Sequence, residues 1–177
     1  YLDETDEEGL LIALDWEKAF DTISWDYLHL ALEALNFGPY TRRWYSILYN
    51  HFDPPERCVS ANGERGTIFN LHSGVPQGCP LSPTTFLFIS EALTRMVVDD
   101  PELPGVSING IRNKISQFAD DTLFILKSYA CLERVWKHVR AYESATGMRV
   151  NVTKTEGFRM GSLRRAPPPA DPGTIAS

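Results

Sequence analysis

The spacing of apolar residues along this 177-residue chain changes several times, and each change predicts a new element. A continuous apolar run over residues 9–14 predicts a strand that is buried on both faces and is followed by Asp15. Further along, apolar residues recur at helical spacing, with Ser24 in the position of an N-cap and Gly38 as a stop signal. The beginning of the chain therefore predicts a buried strand and then an amphipathic helix.

The rest of the chain predicts further helices and hairpins. In chain order these are a helix from Pro39 with Trp44, Ile47 and Leu48 on one face, a hairpin over residues 57–71 with the turn Asn62-Gly63, a helix that Ser82 caps and Pro83 starts, a hairpin over residues 114–126, a helix closed by Gly147, and a strand pair around Val150 and Phe158. This order, β-α-α-ββ-α-ββ-α-ββ, predicts an α+β fold, an antiparallel sheet with helices packed on one face. Residues 1–162 are then one domain, and residues 163–177 are a Pro-rich linker or tail.

Composition and charge narrow the class of protein. Hydrophobic residues make up 43% of the chain and charged residues 23%, which is typical of a globular protein, and no apolar run approaches a membrane span, so we expect no membrane partner. The three cysteines are odd in number and lack metal-ligand spacing, which favours a reducing, intracellular environment. The net charge of −6 weakens the case for autonomous nucleic-acid binding, but an acidic run over residues 3–8 contributes much of it.

Three aspartates follow or join apolar strands. Asp15 comes directly after the first strand, and Asp120 and Asp121 lie at the turn of the second hairpin. If these strands are neighbours, the carboxylates converge at one end of the sheet and repel each other unless a divalent cation neutralises them. Mg²⁺ prefers such oxygen ligands, and a pair of Mg²⁺ ions supports nucleotidyl transfer. The alternative is that Asp15 and Asp21 cap the following helix and that Asp120 and Asp121 form an ordinary turn.

Four segments resemble, in the family order, the motifs of reverse transcriptases. They are Asp15-Trp-Glu-Lys-Ala-Phe-Asp21 (motif A), Gly74-Val-Pro-Gln-Gly-Cys-Pro-Leu-Ser-Pro83 (motif B), Phe118-Ala-Asp-Asp121 (motif C) and Thr146-Gly-Met-Arg-Val-Asn-Val-Thr-Lys-Thr-Glu156 (motif D). Motif D resembles the non-LTR retrotransposon class. The residues Lys-Ala-Phe-Asp of motif A and Gly-Cys-Pro-Leu-Ser-Pro of motif B also occur in the group II intron relatives of the family. Four ordered motifs that span most of a chain are a specific signal.

The resemblance implies a polymerase palm and a set of metal ligands. Asp15 and Asp120 would be the main ligands of two Mg²⁺ ions, for which Mn²⁺ is an alternative. Asp121 and the main-chain carbonyl of Trp16 would support them. These roles come from the family and not from the spacing of the residues.

The resemblance also implies roles for residues that contact substrates. Phe20 matches the steric gate that favours deoxynucleotides, Gln77 and Gly78 would place the incoming base pair, and Ala119 would lie beneath the primer end. Lys154 matches the motif D lysine proposed to protonate the leaving pyrophosphate. From the residues alone, a core aromatic is the favoured interpretation of Phe20, and a Gly- and Pro-rich loop usually means only a turn. Lys154 is equally well explained as a solvated surface lysine.

The function that the resemblance implies is RNA-directed DNA synthesis. Its partners would be an RNA template, a DNA primer, dNTPs, and the fingers and thumb regions of the same polyprotein, acting in the nucleus. We expect fingers and thumb to be missing from this chain, which would then be inactive alone. Two alternatives stay open: an inactive or domesticated remnant that binds nucleic acid or protein, and an unrelated Mg²⁺-dependent phosphoryl-transfer domain.

Overall fold

The computed structural model describes residues 8–108 and 110–165, so most of the acidic N-terminal run and most of the predicted linker lie outside the described residues. The helices are α1 (Trp25–Ala34), α2 (Pro39–Leu48), α3 (Ser82–Val98) and α4 (Tyr129–Thr146). The strands are β1 (Gly9–Leu14), β2 (Trp16–Glu17), β3 (Glu56–Arg57), β4 (Ser60–Ala61), β5 (Glu64–Arg65), β6 (Phe69–Asn70), β7 (Val106–Ile108), β8 (Ile111–Asn113), β9 (Ile115–Phe118), β10 (Asp121–Leu126), β11 (Arg149–Val150) and β12 (Glu156–Met160). A 3₁₀ turn, Gly161–Arg164, follows β12. None of the described helices has the length and apolar character that crossing a membrane requires.

The centre of the fold is a four-stranded antiparallel sheet in the order β12-β1-β10-β9. Strand β1 is paired on both sides, as its continuous apolar sequence predicts. In the register of β1 and β10, Leu10 lies opposite Leu126 and Leu14 opposite Thr122. This sheet confirms the predicted α+β architecture.

The main core lies between one face of this sheet and helices α1, α3 and α4. Alternate residues of β1 and β10 point into it, and the helices contribute the apolar stripes that face them. The fully buried members include Ile23, Trp25, Leu28, Leu32, Phe86, Ile89, Leu93, Val97, Phe124, Val135 and Val139. On the other face a smaller cluster joins Ile125 to Val106 of β7. The helices are therefore packed on one face, and the β7–β8 hairpin contacts the other.

Several local signals of the sequence are confirmed. The Ser24 side chain accepts a hydrogen bond from the main-chain N–H of Tyr27 at 3.3 Å, which caps α1. Gly147 has φ +80° and ends α4 in the left-handed conformation. Asn62 and Gly63 both have positive φ between β4 and β5, which is the backbone geometry of a tight hairpin turn.

The first helix ends before the predicted stop at Gly38. Ala34 is its last residue, and Asn36 adopts a left-handed φ of +59°. The N–H of Phe37 then donates to the Leu32 carbonyl at 2.9 Å, which satisfies the end of the helix. Asparagine tolerates the left-handed region, so no glycine is needed there. Gly38 instead occupies the N-cap of α2.

Two further predictions were wrong. Ser82 is the first residue of α3 rather than its cap; Leu81 holds the N-cap position, and the Ser82 hydroxyl donates to the Pro76 carbonyl at 2.6 Å. The strands around Val150 and Phe158 do not pair with each other. β11 pairs with β2, and β12 pairs with β1. A local pattern identifies a strand, but its partner depends on contacts that are distant in sequence.

Helix α2 begins at Pro39 as predicted, but its apolar face is turned away from the core. Trp44 and Ile47 are 67% and 58% exposed, and Leu48 is also exposed. Tyr45 is the buried residue of this helix, and its hydroxyl is hydrogen-bonded to Thr85 of α3 at 3.1 Å. The apolar stripe of α2 is thus a surface feature of the described structure.

Candidate active site

Asp15 and Asp121 lie side by side at one end of the central sheet. The register pairs Leu14 with Thr122, so the next residues on these antiparallel strands are Asp15 and Asp121. Asp120 precedes Asp121 in the β9–β10 turn. The strand register therefore brings all three residues to the same end of the sheet. Among the described salt bridges, none involves these carboxylates.

The three carboxylates do not form a closed metal site. Within residues 8–108 and 110–165, no group of three or more His, Cys, Asp or Glu side chains is placed to hold a metal ion. The donor chemistry still fits Mg²⁺, because this ion takes few protein oxygens and fills its shell with water and substrate phosphates. The three residues thus offer oxygen donors of the type that Mg²⁺ binds.

The loop of motif B is hydrogen-bonded to the segment of motif A. The N–H of Gly74 donates to the Ile23 carbonyl at 2.8 Å, and the N–H of Val75 donates to the Phe20 carbonyl at 2.7 Å. A Cβ on Gly74 would lie 2.6 Å from the Asp21 carbonyl oxygen, and the residue has φ +81°. This close contact requires glycine. Gly74 was not among the predicted site residues, although its position at the start of motif B was a signal.

Residues of motifs A, B and C meet at one cavity of about 410 Å³. It is lined by Phe20, Gln77, Gly78, Ser82, Pro83 and Asp120. The Phe20 ring is partly buried and stacks on Phe86 with the ring centroids 4.7 Å apart, so this wall of the cavity is fixed by the core. Gly78 has φ +84° and no atom within 4 Å of the position of a Cβ.

A second cavity, of about 420 Å³, joins motif A to motif D. Its lining residues are Asp15, Trp16, Glu17, Lys18, Thr22, Arg149, Asn151 and Lys154. Lys154 thus lies near Asp15, on an exposed turn. Lys18 and Arg149, which the sequence did not single out, add two positive charges to the same cavity. Both lie within the motif segments, but their side chains could not be assigned to a cavity before the fold was known.

The turn that carries Lys154 is joined to the main chain of Asp15. The N–H of Asn151 donates to the Asp15 carbonyl at 2.8 Å, and the N–H of Asp15 donates to the Thr155 hydroxyl at 3.3 Å. The Thr155 hydroxyl in turn donates to the Asn151 carbonyl at 2.9 Å. Asn151 and Thr155 therefore position Asp15, a role that the sequence did not reveal.

Comparison with known proteins identifies the family. The family model of reverse transcriptase (RNA-dependent DNA polymerase) matches residues 1–168. The chain belongs to the reverse transcriptase family. The uncharacterized 149 kDa protein of transposon TX1 from Xenopus laevis is 29% identical over 161 residues, which are 86% of this chain and 12% of that protein. The Pol polyprotein of the R2 element from Popillia japonica is 27% identical over 145 residues, 82% of this chain and 20% of that one. These relatives confirm the non-LTR type.

Solved structures confirm the palm fold of this reverse transcriptase domain. A telomerase from Candida tropicalis in complex with a fragment of telomeric RNA superimposes with a TM-score of 0.64 at 14% identity. The match covers 89% of the reverse transcriptase domain and 27% of the telomerase chain. The apo form of a telomerase from the same organism gives the same TM-score at 16% identity, with 89% and 32% covered. The domain therefore spans about a third or less of each of these larger proteins.

Two more predicted site residues of the reverse transcriptase domain lie at the sheet end. Ala119 occupies the β9–β10 turn with φ +51°, a left-handed conformation that is uncommon for a residue with a Cβ and that concentrates at functional sites. Trp16 is buried, and its ring lies 5.5 Å from that of Tyr142. Its indole N–H donates to the Thr122 hydroxyl at 3.2 Å.

An ion pair with a buried carboxylate lies away from these cavities, where α3 ends. The Asp100 carboxylate accepts two hydrogen bonds from the Arg134 guanidinium, at 2.7 and 3.2 Å, and lies 2.6 Å from His138 Nε2. The Asp100 side chain is 2% exposed. The Arg134 guanidinium holds the pKa of Asp100 well below its usual range, and the contacts with His138 and the Glu102 N–H act in the same direction.

Proposed function

We propose that this domain is the palm of an RNA-directed DNA polymerase that adds deoxynucleotides to the 3′-hydroxyl of a primer. The observation that carries the proposal is the cavity shared by Phe20, Gln77 and Asp120, which come from three motifs spread over 100 residues of sequence. Asp120 belongs to the β9–β10 turn, next to the end of the sheet where Asp15 and Asp121 lie. A fold that needed these residues only for stability would have no reason to expose them in one cavity.

The cavity of motifs A, B and C would take the incoming deoxynucleotide. The Phe20 ring, held from behind by Phe86, would occupy the space that a ribose 2′-hydroxyl needs and would exclude ribonucleotides. Gln77 and Gly78 would contact the incoming base pair, since Gly78 has no side chain and Gln77 offers an amide for hydrogen bonds. Ala119, with a single methyl group, would lie beneath the primer end.

The carboxylates at the sheet end would hold two Mg²⁺ ions. Asp15 and Asp120 would be the main ligands, with Asp121 and the Trp16 carbonyl in support. Bound there, the ions would favour deprotonation of the primer hydroxyl and offset the charge that develops on the leaving pyrophosphate. The position of all three residues at one end of the sheet supports this assignment.

The cavity of motifs A and D would receive the departing pyrophosphate. Lys154, Lys18 and Arg149 supply three positive charges around it, and such charges attract a polyphosphate. Lys154 would donate a proton to the leaving group, a role that needs an ammonium group within reach of the site. Its position in the same cavity as Asp15 supports this role.

The partners would be an RNA template, a DNA primer and dNTPs. The described residues fit a palm, so we propose that fingers and thumb regions of the same polyprotein complete the enzyme. The domain spans 12% and 20% of the TX1 and R2 relatives, and the R2 relative is named as a Pol polyprotein. Retrotransposition into chromosomal DNA would place the activity in the nucleus.

The proposal is tested by primer extension on poly(rA)–oligo(dT) with dTTP and Mg²⁺. The 177-residue chain is compared with a version extended by its native flanking coding sequence, and each is also made with Asp15→Ala. We expect extension by the longer form and none by its Asp15→Ala variant, with both folded by circular dichroism. If neither parent form extends the primer although both fold, the domain is a remnant or binding module. If phosphoesters are hydrolysed instead, the phosphoryl-transfer alternative is correct.

A further inference from the structure

The hydroxyl of Thr122 lies buried beneath the end of the sheet, one residue after Asp121. Thr122 is 3% exposed and points to the same side of the sheet as Leu14 and Phe124, which are both core residues. A buried position between apolar neighbours is ordinarily filled by valine or isoleucine in a strand. A hydroxyl there therefore needs an explanation in its hydrogen bonds.

This hydroxyl uses its whole hydrogen-bonding capacity. It accepts from the Trp16 indole N–H at 3.2 Å and from the Gln117 side-chain amide at 3.2 Å. It donates to the main-chain carbonyl of Asp120 at 3.4 Å. A hydroxyl has one donor and two acceptor sites, so all three are occupied.

The partners of Thr122 belong to the two segments that carry the carboxylates. Trp16 directly follows Asp15, and the Asp120 carbonyl belongs to one of the proposed ligands itself. Gln117 extends the contact to α3, because its side-chain oxygen accepts a hydrogen bond from the Thr94 hydroxyl. One buried hydroxyl thus joins motif A, motif C and the helix behind motif B.

We propose that Thr122 is a positioning residue that fixes Asp15 and Asp120 relative to each other, and so sets the affinity of the site for divalent cations. The inference rests on the proposed function of these two aspartates as metal ligands. Because Thr122 is buried on the core side of the sheet, we assign it no contact of its own with metal or substrate. Removing its hydroxyl would leave the buried Trp16 indole N–H and the partly buried Gln117 amide without this partner, and the Asp120 carbonyl would lose a donor. Groups that orient metal ligands typically change metal affinity or activity by about 10- to 100-fold when they are lost.

The test compares Thr122→Val, which keeps the shape, with Thr122→Ser, which keeps the hydroxyl. Thr146→Val is the matched control, because Thr146 is also fully buried and its hydroxyl also bonds main-chain groups, of Tyr142 and Met148. Mn²⁺ binding is measured by electron paramagnetic resonance without substrate. Hydrogen exchange of the Trp16 indole N–H is followed by NMR, and the Mg²⁺ dependence of extension is measured in the extended form.

We expect Thr122→Val to weaken Mn²⁺ binding and raise the Mg²⁺ concentration for half-maximal extension by roughly tenfold. Its Trp16 indole N–H should exchange faster, while Thr122→Ser stays close to the parent. Thr146→Val should lower the melting temperature without changing cation affinity. Should Thr122→Val not fold, Trp16→Phe removes the same indole hydrogen bond and is expected to give the same shift.

Parental cation affinity in Thr122→Val, together with faster indole exchange, would overturn the inference and leave Thr122 a purely structural residue. The inference would also be overturned if Thr146→Val shifted the cation dependence as much as Thr122→Val does. A failure of the proposed function looks different. In that case the parent itself does not extend primers, or Asp15→Ala leaves Mn²⁺ binding unchanged.

Discussion

The main-chain N–H of Asp15 donates to the hydroxyl of Thr155 at 3.3 Å, although 140 residues separate the two in sequence. The Asp15 carbonyl accepts from the N–H of Asn151, at the start of the same turn. Both main-chain groups of Asp15 are therefore held by the turn that carries Lys154. Asp15 and Lys154 line the same cavity, and these main-chain hydrogen bonds join the segments that carry them. A substitution in the turn should therefore change the position of Asp15.

Loss of the Thr155 hydroxyl should slow primer extension. In Thr155→Val the Asp15 N–H loses its acceptor, and the Asn151 carbonyl loses a donor. We expect the extension rate at saturating dNTP to fall roughly tenfold, because misplacing a reacting group by a fraction of an ångström is costly. Thr155→Ser keeps the hydroxyl and serves as the control. Equal rates for the two variants would show that the hydroxyl does not position Asp15.

Two glycines of motif B offer a matched test of the contact between motifs A and B. Gly74 and Gly78 have nearly equal positive φ, but a Cβ would meet the Asp21 main chain at Gly74 and only open space at Gly78. Gly78→Ala should cost about 1–2 kcal/mol of unfolding free energy through backbone strain alone. Gly74→Ala should cost about 2 kcal/mol more, because the main chains must separate. Denaturant unfolding measures both, and equal losses would contradict the close contact.

Reducing the Phe20 ring should relax sugar selection. Phe20→Val removes the ring that lines the nucleotide cavity, so a ribose 2′-hydroxyl would find room. We expect the preference for dTTP over UTP in kcat/KM to fall roughly tenfold or more, as pocket size controls discrimination by about that amount. Phe86→Leu is the control for loss of the aromatic stack, since Phe86 contacts Phe20 from the core side. An unchanged preference in Phe20→Val would make Phe20 a core aromatic only.

The ion pair between the buried Asp100 carboxylate and the partly exposed Arg134 predicts a defined pH dependence of stability. The pKa of Asp100 is lowered in the folded state, so its contribution is fully present above the unfolded pKa near 3.9 and is lost as the pH falls towards the folded value. Asp100→Asn should lower the melting temperature by roughly 5–10 °C at pH 7. This difference should shrink below about pH 4, where the unfolded chain takes up the proton. A difference that stays constant down to pH 3 would contradict the assignment.

Much of the fold could be predicted from local patterns because the signals agreed with the tertiary structure. The run before Asp15 is a paired central strand, and the caps at Ser24 and Gly147 lie where the sequence places them. The predicted end of the first helix at Gly38 was wrong, because Asn36 adopts the left-handed conformation two residues earlier in the chain. Positive φ is open to both residue types, so sequence alone does not decide between them.

Long-range contacts of the site could not be predicted in the same way. The family motifs locate Asp15 and Asp120, but nothing in their spacing shows that Thr155 holds one or that Thr122 joins both. The pairing of β11 with β2 and of β12 with β1 brings motif D to motif A, and this pairing depends on the assembled sheet. Residues that act through other residues are visible only after the chain has folded.

The most direct test of the central claim is single-nucleotide extension by the extended form carrying Asp120→Asn, which keeps the size of the side chain and removes its charge. Asp53→Asn, at an exposed aspartate outside the two cavities, is the matched control. We predict a loss of extension by at least about 1,000-fold in Asp120→Asn, with unchanged melting temperature, and a normal rate in Asp53→Asn. A normal rate in Asp120→Asn would contradict the assignment of the polymerase site to this end of the sheet.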